Sequence, residues 1–129
     1  MTVGGLPAPV AESVDLLVDS LDGLEVLLAL AREPDRGWTA ASIAAHLKIA
    51  ERAAHDALER LRERGVVQVG PSSLYRWGPV GERERAHAGR ILDFYERRRI
   101  DLINYVASSS LKRIRGLADA FRLRRDDPS

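Results

Sequence analysis

Trp38-Thr39-Ala40-Ala41-Ser42-Ile43-Ala44-Ala45-His46-Leu47-Lys48-Ile49-Ala50-Glu51-Arg52-Ala53-Ala54-His55-Asp56-Ala57-Leu58-Glu59-Arg60-Leu61-Arg62-Glu63-Arg64-Gly65-Val66-Val67-Gln68-Val69 is the stretch that decides the fold. Thr39 stands where a hydroxyl caps a helix, and Ile43, Ala44 and Leu47 follow on one side of it. Lys48, Ile49 and Ala50 make a tight connection. Residues 51–64 then form a second helix, with Ala54, Leu58 and Leu61 spaced by four and three. Gly65 falls where a helix C-terminus favours a left-handed residue. Val66-Val67-Gln68-Val69 reads as a strand, Gly70-Pro71-Ser72-Ser73 as a turn, and Leu74-Tyr75-Arg76-Trp77 as a second strand ended by Gly78-Pro79.

Two helices, a short connection and a β-hairpin make the element order of a winged helix-turn-helix. The residues Trp38-Thr39, Ile43-Ala44, Leu47, Ala57-Leu58, Leu61 and Gly65-Val66-Val67 resemble the winged-helix domain of bacterial transcriptional regulators. The tail, residues 114–125, is similar to that of small winged-helix proteins from bacteria. The resemblance implies that the second helix enters the major groove of DNA while the wing touches adjacent backbone. Arg52, His55 and Arg60 are then expected to face the groove, with Ser72, Ser73 and Arg76 on the wing. Glu51 and Asp56 do not suit a polyanion, although an acid can accept from cytosine N4. Regulators of this type often carry a hydroxyl at the helix start and a base one turn in; here Ala50 and Asp56 stand there. One such module neutralises only about two to four phosphates, so a dimer is the useful binding unit.

Outward from this core, residues 1–13 are expected to be a flexible tail, residues 14–79 the winged helix and residues 80–129 a helical dimerisation extension with a basic tail. Gly4-Gly5 reads as a linker. Residues 14–32 have helical periodicity, and Ser20 before Asp22 marks a second start inside them. Residues 82–108 form a long helix. Its narrow seam of Leu92, Tyr95, Leu102 and Val106, with Arg99 in one core-like slot, is the expected homodimer interface. Ser108-Ser109-Ser110 is expected to break or cap it before a short last helix, residues 111–123. Trp38 and Trp77 are expected to pack at the base of the wing. Arg97-Arg98-Arg99 is expected to be a solvated face with Glu96 and Asp101 as partners.

The 129 residues carry 20 basic and 19 acidic side chains and no cysteine, which excludes disulfides and thiolate chemistry. Eighteen of the bases are arginine, the bias of a GC-rich bacterial genome. Residues 1–33 hold one base and six acids, and residues 79–129 hold twelve bases and eight acids. This gradient points to an anionic partner, or to a front and back that complement each other in a dimer. No apolar run approaches the ~20 residues of a membrane span, and no leader is visible, so a cytoplasmic protein is expected. His46, His55 and His87 are too scattered for a metal site, no catalytic set converges, and no cofactor is expected. Double-stranded DNA is the expected partner. The other reading is a protein-interaction adaptor that reuses the winged helix, with the arginine-rich tail or the mixed-charge second helix gripping an acidic protein.

Overall fold

A computed structural model describes residues 2–125, with side chains through residue 109. The chain is mostly helical with a small antiparallel hairpin, as the element order predicts. The elements are β1 (Thr2–Val3), β2 (Leu6–Pro7), α1 (Ala8–Leu17), α2 (Leu21–Arg32), α3 (Ala40–Leu47), α4 (Glu51–Glu63), β3 (Val67–Val69), β4 (Tyr75–Trp77) and α5 (Glu82–Arg125).

The front module forms where the sequence places it. Thr39 and Ser42 build a reciprocal capping box on α3: each side chain meets the other residue's backbone N–H, at 3.0 and 2.9 Å. Lys48 turns the chain in the left-handed region, at φ 59°, and the Ile49 N–H donates to the Ala44 carbonyl. Helix α4 buries Ala54, Ala57, Leu58 and Leu61. Gly65, at φ +79°, ends the turn after it. Strands β3 and β4 pair in the register Val67 with Trp77, Gln68 with Arg76 and Val69 with Tyr75. Trp38 adds a backbone bridge to Tyr75, with N–H to carbonyl distances of 2.9 and 2.7 Å. The hairpin is thereby tied to the residue before α3, and Trp38 is completely buried. Helix α2 lies across α3, α4 and β4 and closes this core.

The back of the molecule departs from expectation in two places. Residues 2–13 do not form the loose tail expected of them. Gly4 and Gly5 turn β1 into β2, Leu6 is fully buried, and α1 begins at Ala8. The reason is tertiary: α1 and the small hairpin pack on α5, which buries Leu6, Val10, Ala11 and Val14. Residues 14–32 divide between two helices, separated at Val18–Ser20, with the second start at Ser20 as the sequence reads. Ser20 caps α2 by accepting from the Gly23 N–H at 3.0 Å, so α1 goes with α5 and α2 with the front module.

Second, α5 is not broken at Ser108–Ser110 but runs on to Arg125, with its irregularity at Arg98 (φ −140°, ψ 59°). The buried face of α5 is Ala88, Ile91 and Phe94 before that point and Leu102, Tyr105 and Val106 after it. A regular helical period carries this face through position 98, where an arginine stands. The backbone departs from helix there, and the Arg98 guanidinium leaves for Asp101 at 2.6 Å. Arg97 pairs with Asp93, at 2.9 Å, rather than with Glu96. The side chains of the expected last helical stripe and of the basic tail lie outside the described residues. Among the described residues, no helix is long and apolar enough to cross a membrane.

Candidate nucleic-acid interface

The solvent face of α4 and the hairpin beside it are the surfaces on which the six expected DNA contacts were placed. Arg52 and His55 are exposed in the first turns of α4. The Arg52 side chain is 87% accessible, and its partner is Asp56 one turn on, at 3.3 Å. Such an exposed i,i+4 pair contributes only about 0.3–0.5 kcal/mol, so a phosphate can compete for the guanidinium. Ser72, Ser73 and Arg76 are exposed on the hairpin. Ser73 adopts φ 60°, and its N–H closes the turn on the Gly70 carbonyl.

Arg60 is a correction. Its guanidinium turns away from the exposed face and donates to the carbonyls of Asp15 and Leu16, at 3.2 and 3.3 Å. Those carbonyls belong to the last turn of α1, where no intrahelical donor remains for them. A weak contact with Asp19, at 3.9 Å, completes the site. Arg60 therefore fastens α4 to α1, and its charge is spent inside the molecule.

The expected dimer seam divides as well. Leu102 and Val106 are 0% and 2% exposed within a single chain, so they have almost no surface left for a second copy. Leu92 and Tyr95 are half-buried on another side of α5. With Leu28, Arg32 and Arg99 they line an open groove of about 430 Å³ between α2 and α5. Arg99 lies over the Tyr95 ring at 5.5 Å.

Two arrangements in the front module escape sequence reasoning. Glu59 on α4 receives both the Nε and an Nη of Arg62, at 3.1 and 2.9 Å, and the Tyr75 hydroxyl from β4 at 2.6 Å. The Arg62 hydrogen bonds first, and then the Tyr75 hydroxyl, pull the Glu59 carboxyl from 4.5 to about 2. Burial and the same hydrogen bond push the Tyr75 phenol up. The i,i+3 spacing of Glu59 and Arg62 was readable, but nothing local announced Tyr75, sixteen residues on. This carboxylate fixes the hairpin against α4. In the second arrangement, the Arg36 guanidinium stacks 3.6 Å from the Trp38 ring centre while the His46 ring approaches at 5.1 Å.

A helix-turn-helix with a β-hairpin held against its second helix defines the winged-helix class. No protein-family model matches the chain, and no curated protein matches it. Among solved structures, a MarR family protein of Mycobacterium tuberculosis is similar to it. The identity is 21%, over 94% of this chain and 83% of that one, with a TM-score of 0.48.

Proposed function

We propose that this chain is a winged-helix transcriptional regulator that binds duplex DNA as a homodimer in the bacterial cytoplasm. The first turns of α4 lie in the major groove, and the β3–β4 hairpin lies on the neighbouring backbone. The observation that carries this reading is the pair of exposed side chains Arg52 and His55, next to a hairpin that presents Ser72, Ser73 and Arg76. Residues 14–79 act as the reading head, and residues 80–129 act as the dimerisation extension. Leu92 and Tyr95, with the 66% exposed Ile100 further along α5, supply the contact between copies. Two-fold symmetry then calls for an inverted repeat with half-sites about 34–36 Å apart, or a multiple of that.

Fluorescence anisotropy with duplex fragments of the organism's own genome tests the reading across a salt series. Affinity is expected to fall steeply with salt, with a log–log slope matching about two to four phosphates per protomer. Arg52→Ala is expected to weaken binding and to reduce that slope by about one.

The second reading, a protein-interaction adaptor, is favoured by the ion pairing of α4. Arg52 pairs with Asp56 and Arg62 with Glu59, and α4 holds three arginines against four acids, so it offers a polyanion no net positive charge. Absence of salt-dependent binding at low ionic strength selects the adaptor.

A further inference from the structure

An open cavity of about 510 Å³ lies where α1, the end of α4 and the start of α5 meet, a size ordinary for small-molecule sites. On the α1 side it carries the carboxylates of Glu12 and Asp15. On the α4–α5 side it carries the guanidiniums of Arg64, which caps the end of α4, and Arg83, in the first turn of α5. Opposite charges thus share one cavity without neutralising each other. Among the described residues, Glu12, Arg64 and Arg83 form no ion pair, and Asp15 instead accepts the Tyr105 hydroxyl at 2.8 and 3.0 Å.

A second observation comes from the cavity wall. His87 lines it while only 7% exposed. Its Nδ1 lies 2.9 Å from the Ser13 hydroxyl oxygen, which is itself fully buried. The Ser13 hydroxyl also lies within hydrogen-bond reach of the Pro9 carbonyl, at 3.1 Å. The Arg90 guanidinium lies 3.3 Å from the Ser13 oxygen and 3.4 Å from the same His87 Nδ1. The ring's Nε2 has no hydrogen-bond partner among the described residues. A ring nitrogen without a protein partner, on a side chain this buried and at the edge of a cavity, is free to meet a ligand.

A simple anion would meet the two carboxylates, and a simple cation would meet the two guanidiniums. A molecule carrying both signs matches both sides. We propose that this cavity binds a small zwitterion of amino-acid type, its carboxylate on Arg64 and Arg83 and its ammonium against Glu12 and Asp15, with the His87 ring beside it. This site is separate from the exposed face of α4, and the assay that tests it contains no nucleic acid. Its outcome is therefore independent of whether α4 reads DNA.

The test is calorimetry and thermal shift on the full chain, with each common free amino acid as probe beside its N-acetylated form and its decarboxylated amine. At least one free amino acid is expected to bind, and both of its derivatives to bind at least about tenfold more weakly. Arg83→Gln and Glu12→Gln, both at exposed positions, are each expected to cost about tenfold in affinity with an unchanged circular dichroism spectrum. The proposal fails if no amino acid produces heat or a melting shift. It also fails if an N-acetyl acid binds as tightly as its parent, or if both variants bind like the wild type.

Discussion

The front and back of this molecule are held together over different distances along the chain. In the front, the defining contacts close short loops: Thr39 with Ser42, Glu59 with Arg62, and Glu59 with Tyr75. In the back, α1 meets α5 through Ser13 with His87, 74 residues apart, and Asp15 with Tyr105, 90 residues apart. Short loops cost little closure entropy, so local signals suffice to specify the front. The back acquires its order only when the two ends of the chain come together, and its local sequence signals are correspondingly weak. Arg60 is the exception that joins the halves, running from α4 to the end of α1.

The largest expected effect breaks the front. Trp38→Ala removes a fully buried ring and is expected to cost about 3–5 kcal/mol in chemical denaturation. Hydrogen exchange is expected to quicken more in α3, α4 and the hairpin than in α1 and α5. Equal loss of protection throughout would show that the two halves are not distinct units of stability.

Gly4→Ala probes the back. Gly4 has φ +58°, and a methyl group there would lie 2.9 Å from the Tyr105 ring. A cost of about 1–3 kcal/mol is expected in urea unfolding, although the sequence reads this glycine as a linker. A neutral result would return residues 2–7 to the status of a tail.

Glu59→Gln sharpens the account of the hairpin, with an expected cost of about 1–2 kcal/mol at neutral pH. The folded-state carboxyl is lowered from 4.5 to about 2. Its contribution is therefore complete above pH 4.5 and lost as pH falls toward 2. The stability gap between wild type and variant should narrow across that window in pH-dependent unfolding; a constant gap would mean the carboxylate's charge is irrelevant there.

Arg52→Ala is expected to have the smallest effect on stability, under about 0.5 kcal/mol in thermal unfolding, because its pair with Asp56 is exposed. Its effect belongs to binding, and a large loss of stability would mean that Arg52 is structural, as Arg60 is.

What was legible in advance follows the same division. Thr39, Gly65 and the spacing of Ala54, Leu58 and Leu61 carry their meaning in neighbouring residues, so the helix-turn-helix and its hairpin could be read directly. Helix phase and turn position also foretell the exposure of Arg52, His55, Ser72, Ser73 and Arg76. Arg60 was assigned the wrong role because phase alone does not reveal that the free carbonyls at the end of α1 sit beside it. Leu102 and Val106 were assigned to a second copy because their stripe gives no sign of which helix covers it.

The sequence by itself determined the head of this protein, since caps, turns and helical period are properties of a few adjacent residues. Only the tertiary structure decided that the first residues form a hairpin and helix on α5. It alone decided that Arg60 looks inward, that α5 bends at Arg98, and that Glu12, Asp15, Arg64, Arg83 and His87 line one cavity. These features depend on which surfaces meet across many residues of chain, and burial and charge compensation across such contacts leave no period to read.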